Sequence, residues 1–187
     1  VDVGEAVREL RRCVDELGMI GVHVPPSLPV PHPAAPDAFP LVRLPKHISH
    51  PDFAPILAAA TELDVALGVH GSPGVYLPSG IAEQVDSFIL SHIFGHRNQM
   101  QMALSACVFE GVFDRHPRLQ IILGHLGEGI PYNIWRIDNR LRWSPQGYPP
   151  MKLPGEYFRS NFWITTSGNF RTQTLIDAIL EIGSDRI

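Results

Sequence analysis

Two histidines occupy equivalent positions, each closing a short, largely apolar run: His70 follows residues 65–69 and His125 follows residues 119–123 and one glycine. An imidazole at the end of such a run can ligate a metal, act as a general acid or base, or serve as a hydrogen-bonded core group. A matched pair points to function more than either ring alone. Gly71 follows the first, and Gly124 and Gly127 flank the second, so backbone can approach a ligand closely beside both rings. Spacing does not decide between metal ligation and catalysis. Glu128 lies three residues after His125, where a helix dipole favours a carboxylate and where a carboxylate can also orient the imidazole and raise its basicity. Arg136, in WRIDNR, either offers its forked guanidinium to a substrate carboxylate or pairs with a neighbour such as Asp138.

Other candidates carry less. His92 and His96, four apart, would share one helix face as paired metal ligands do, but no glutamate lies between them and Gly95 interrupts, so they are not assigned to a metal. Arg43 and Lys46, beside His47 and His50, are expected to be solvated, and His23 and His116 to be structural.

The elements that position these residues alternate. Val7, Leu10, Val14 and Leu17 recur at helical spacing before Gly18, giving a helix over about 4–17 and then a strand over 19–24. Residues 25–51 hold nine of the eighteen prolines and are expected to form a long irregular loop. A helix over about 52–63 leads to a strand over 65–69, and a glycine- and proline-rich loop follows His70. Leu104, Cys107, Val108, Gly111 and Val112 predict a helix running to about Asp114. A strand over 119–123, a helix opened by Pro131, a strand over 162–166 and a final helix carrying Leu175, Ile176, Ile179 and Ile182 complete the series. Strands alternating with helices, apolar on both faces, predict a parallel sheet covered by helices. His70, His125 and Ser167 then gather at the C-terminal ends of the strands, where such folds place their chemistry. No glycine-rich dinucleotide fingerprint follows any strand.

Bulk properties narrow the partners. The chain has 187 residues, a net charge of −4 and no Lys/Arg-rich run, so it carries no electrostatic footprint for nucleic acid or an anionic membrane. A small-molecule partner is expected. Cys13 and Cys107 read as ordinary buried thiols of a reducing compartment, no export signal or membrane-length apolar run is visible, and a cytoplasmic location is expected.

The runs HPRLQIILGHLGEGIPYNIWRIDNR and NFWITTSGNFRTQTLIDAILEIGSDRI, together with EAVRELRRCVDELGMIGV, closely resemble the amidohydrolase-related (amidohydrolase family 2) decarboxylases, in particular the γ-resorcylate (2,6-dihydroxybenzoate) decarboxylase group. The likeness is close from about residue 107 to the end, looser over 65–106 and slight over 25–50. It implies a (β/α)8 TIM barrel of the metal-dependent hydrolase superfamily, of which this chain would supply strands four to seven as a single domain, 1–187, truncated at both ends. A complete barrel of this kind needs roughly 250 residues.

Carried over by resemblance, His70 matches the histidine that ligates a divalent metal, zinc or manganese, His125 the catalytic histidine, and Glu128 its neighbouring carboxylate. The family's other ligands, from the first strand and an eighth-strand aspartate, have no counterpart in these residues. The implied reaction is non-oxidative decarboxylation of a hydroxylated aromatic acid without an organic cofactor, with the substrate held at the metal, a carboxylic acid of the family's eighth strand protonating the ring carbon, and His125 polarising the substrate or relaying protons. Arg136 is the candidate substrate anchor, and a homo-oligomer is expected. Hydrolysis of a lactone or amide on the same barrel is the alternative, and so is a catalytically incomplete fragment.

Overall fold

In the computed structural model the described residues are 2–31, 43–71, 87–145 and 147–187. The first helix, α1 (Val3–Asp15), starts where the Asp2 side chain accepts the Glu5 N–H at 2.9 Å, and the chain turns out of it at Gly18 with φ +68°. Strand β1 (Gly21–Val24) follows.

The proline-rich stretch departs from expectation. Its described parts form an antiparallel pair, β2 (Ser27–Pro31) and β3 (Arg43–His47), with Pro29 opposite Pro45. A residue without an N–H fits a two-stranded ribbon wherever that N–H would point away from the partner. Pro29, Pro31 and Pro45 fall in one such register, two residues apart or directly opposed. Lys46 is also not simply solvated, because its Nζ lies 2.6 Å from Asp52 Oδ2 and ties β3 to the following turn.

That turn, a 3-10 segment over Pro51–Phe53, opens α2 (Ala54–Glu62), which leads into β4 (Ala66–Val69). Most of the loop expected after His70 lies outside the described residues. The chain resumes in α3 (Phe88–Leu90), passes through a π turn at Ser91–Gly95 and continues as α4 (His96–Phe109). The helix expected to reach Asp114 breaks at Gly111, φ +69°, and a short α5 (Val112–Arg115) follows. Then come β5 (Ile121–Leu123), α6 (Ile130–Trp143) with Pro131 in its first turn, α7 (Pro154–Asn161), β6 (Phe162–Ile164), α8 (Thr172–Ile182) and a closing 3-10 turn over Ser184–Arg186. Helix α7 had no counterpart in the sequence reading. Its buried Asn161 donates to Pro117 O and Leu119 O at 3.0 and 2.9 Å, fixing the approach to β5.

Strands β1, β4, β5 and β6 pair in parallel in that order. Leu67, Val69, Ile121, Leu123, Phe162 and Ile164 point into a core shared with Phe53, Met100, Leu104 and Phe158. The opposite face carries His23, Ile122 and Trp163, which stay exposed among the described residues. Parallel strands in chain order, each followed by helices packed on one side, form part of the wall of a (β/α)8 barrel whose inner face is the one carrying these three residues. Among the described residues no helix is long and apolar enough to cross a membrane.

Candidate active site at the strand ends

His70 continues β4 by one residue, its N–H donating to Val24 O at 3.2 Å. Its Nδ1 lies 2.6 Å from Gly71 O, and since a carbonyl only accepts, Nδ1 carries the proton and Nε2 keeps its lone pair. Burial holds the His70 pKa below its ordinary value; the Gly71 carbonyl works against this and the neighbouring His96, His125 and His23 add to it.

His125 leaves β5 through an unusual turn. Five consecutive residues, His125 to Gly129, have left-handed φ values of 54°, 54°, 82°, 53° and 79°. For His125, Leu126 and Glu128 this conformation costs roughly 1–2 kcal/mol each, and it persists only where the surroundings overdetermine it. Leu126 N–H donates to Thr165 O at 2.9 Å, and its side chain is buried. Arg97 Nε and Gln101 Nε2, one turn apart on α4, both donate to Glu128 O, at 3.1 and 2.7 Å. The coiled backbone brings Glu128 back onto its own neighbour, so that Oε1 accepts a very short hydrogen bond from His125 Nδ1. The same oxygen lies 3.1 Å from His96 Nδ1. Burial alone would raise the Glu128 pKa, but the bonds from His96 and His125 outweigh it and hold the carboxyl below its usual value, so the group is an anion at neutral pH.

The three imidazoles converge. Ring centroids are 5.5 Å apart for His70 and His125, 4.5 Å for His70 and His96, and 5.2 Å for His96 and His125. Among the described residues they form a group whose ligand atoms all lie within 4.8 Å of one another. A neutral imidazole suits a borderline divalent cation such as zinc, while manganese favours oxygen ligands beside it, and the bare Nε2 of His70, with its Nδ1–H secured by a backbone carbonyl, is the arrangement a metal-ligating histidine adopts. His70 therefore fits as a ligand of the metal expected from the sequence. The cleft above the rings measures about 720 Å³, and His70, His96, Arg97, His125, Tyr132 and Asn169 are among its walls. Loop residue Gly168, beyond β6, packs so closely on His125 that a Cβ there would meet the ring at 2.6 Å.

His70, His125 and Glu128 thus come together as the sequence suggested. Arg136 does not join them: it is exposed on α6 and outside the cleft lining. The pair at 92 and 96 divides. The π turn between them shifts the helical spacing, leaving His92 stacked on Phe88 at 5.5 Å while His96 is buried against His70 and Glu128. His23 is exposed, 6.0 Å from His70, and not a core residue. Sequence reasoning weighed His96 only as a helical partner of His92 and left it unassigned, and it did not consider Arg97.

The amidohydrolase family model matches residues 1–187. A gamma-resorcylate decarboxylase of Rhizobium radiobacter is 40% identical over 191 residues, covering all of this chain and 54% of the relative. A 2,6-dihydroxybenzoate decarboxylase structure from Rhizobium superposes with a TM-score of 0.80 at 40% identity, covering 100% of this chain and 55% of that one. A dihydroxybenzoic acid decarboxylase from Polaromonas sp. JS666, solved with manganese and the inhibitor 2-nitroresorcinol, gives a TM-score of 0.79 at 39% identity, with 100% and 54% coverage. The chain spans about half the length of these relatives. With its matched sequence, its parallel barrel wall and its histidines at the strand ends, the chain belongs to the amidohydrolase family.

Proposed function

We propose that this chain is the central part of a single-domain, metal-dependent carboxy-lyase that removes CO2 from a hydroxylated aromatic acid of the 2,6-dihydroxybenzoate class. The observation that carries the reading is the pairing of His70, with a bare Nε2, and His125, backed by the Glu128 carboxylate, 5.5 Å apart at one mouth. Similarity to decarboxylases at 40% identity over the whole chain supports the substrate class.

His70 would hold a divalent ion through Nε2 together with further ligands, and the ion would supply positive charge that attracts an anionic substrate. In the reaction the ring carbon that bears the carboxylate takes up a proton, the carbon–carbon bond then breaks with its electron pair returning to the ring, and CO2 leaves. His125 is suited to moving that proton. Its Nδ1 is anchored to the Glu128 carboxylate, which orients the ring and leaves Nε2 as the nitrogen able to pass a proton. Arg136, exposed and away from the cleft, would anchor a substrate anion only in the cleft of a second copy, which links it to the homo-oligomer expected from sequence. A cytoplasmic location belongs to the same proposal and is supported by two free thiols, Cys13 and Cys107.

The test is a substrate panel with the complete protein loaded with zinc or manganese. CO2 release from 2,6-dihydroxybenzoate and related acids, lost on chelation, is the expected outcome. Opening of lactones or amides without CO2 release would move the protein to the hydrolytic branch.

A further inference from the structure

His96 stands in the middle of the three-imidazole group, yet both of its ring nitrogens are committed. Gly71 N–H donates to Nε2 at 3.2 Å, so Nε2 is the acceptor and the proton of the neutral ring sits on Nδ1. Nδ1 in turn faces Glu128 Oε1 at 3.1 Å, and both side chains are buried, at 9% and 7% exposure. No lone pair is left to take a cation. The ring is also fixed in place, because Gly71 packs so close that a Cβ there would meet His96 Cδ2 at 2.8 Å.

We propose that His96 is a positioning residue, not a metal ligand: its Nδ1–H fixes the Glu128 carboxylate, which in turn holds the proton on His125 Nδ1 and leaves His125 Nε2 bare toward the substrate. The inference rests on the decarboxylase reading for the identity of the reaction, but not for its geometry. Helix α4 serves the same end at two further points, since Arg97 and Gln101 grip the Glu128 carbonyl while His96 grips its side chain. One helix thereby sets both the left-handed backbone and the carboxylate orientation of Glu128. Without the His96 donor, Oε1 would have a single partner and the buried anion would be free to turn away from His125.

The two nitrogens can be separated by substitution in the complete, zinc-loaded protein. His96→Asn keeps an N–H donor at the place of Nδ1 and loses the acceptor for Gly71. His96→Gln keeps an acceptor near the place of Nε2 and loses the donor to Glu128. The proposal predicts that His96→Gln lowers kcat roughly 10–100-fold with KM and zinc content nearly unchanged, whereas His96→Asn stays within a few-fold of wild type. Nitrogen-15 NMR of the histidine side chains provides a readout independent of turnover: His96 and His125 should both carry the proton on Nδ1 in the wild type, and His125 should become a mixture of tautomers in His96→Gln. Zinc loss from either variant comparable to that of His70→Ala would make His96 a ligand and overturn the proposal. So would equal losses of kcat in both variants, or a wild-type His96 protonated on Nε2, a measurement that needs no variant to fold. If the wild type proves not to decarboxylate, the functional reading fails and the tautomer and zinc measurements still decide the role of His96.

Discussion

His70 and His125 tie down the same nitrogen to different partners, and that difference sorts their roles. Nδ1–H of His70 meets a neutral carbonyl, which leaves Nε2 as a ligand atom; Nδ1–H of His125 meets a carboxylate, which orients the ring for proton transfer through Nε2. In the complete protein His70→Ala should therefore release the metal, and His125→Asn should cut turnover about 100-fold or more while metal content, read by elemental analysis, stays nearly constant. Equal metal loss in both would show that His125 is also a ligand. The cysteines make a second prediction. Burial pushes the Cys107 thiol up to about 12, and only the thiolate attacks alkylating reagents. At pH 8 peptide mapping after iodoacetamide should find Cys107 unmodified in the native protein and modified once it is unfolded. Labelling in the native state at the rate of a free thiol would mean that α4 opens readily.

At the scale of elements, the turn from β5 into α6 is held by its contacts with α4, and Gly129 is its tightest point. A Cβ at Gly129 would collide with the Arg97 guanidinium, and φ is +79°. Gly129→Ala should cost about 1–3 kcal/mol of stability, read as a lowered denaturation midpoint, and should reduce turnover by displacing Glu128. An unchanged midpoint would show that Arg97 has room to move. Much of this architecture was legible in the sequence: the four parallel strands, α1, α6 and α8 follow from apolar periodicity, and the two histidines from their place at strand ends. The β2–β3 pair was not, because counting prolines ignores their register; Pro29 and Pro45 oppose each other where neither needs an N–H. His96 was weighed only together with His92 on an α-helical grid and left unassigned, whereas the π turn at Ser91–Gly95 separates the two rings and brings His96 alone to the strand ends. Glu128 was anticipated as the partner of His125, but its sharing between two imidazoles depends on a left-handed turn that no local residue pattern announces.

At the scale of the whole molecule, the sheet of this chain has helices on one face and an inner face where Ile122 and Trp163 remain 37% and 41% exposed. Among the described residues, strands β1 and β6 are the edges of this sheet. Bare strand edges and uncovered apolar surface associate, so the 187-residue chain expressed by itself should sediment as aggregates and release no CO2 from 2,6-dihydroxybenzoate. A monodisperse, metal-replete and active 187-residue chain would show that the barrel wall is sufficient alone. The account depends most on where the metal sits within the complete protein, and anomalous diffraction from crystals grown with manganese measures that directly. The ion is predicted at about 2.0–2.3 Å from His70 Nε2, with His96 still bonded to Gly71 and Glu128 and with His125 Nε2 facing the substrate cleft and not bound to the ion. An ion coordinated by all three imidazoles together would contradict the division of roles between His70, His96 and His125.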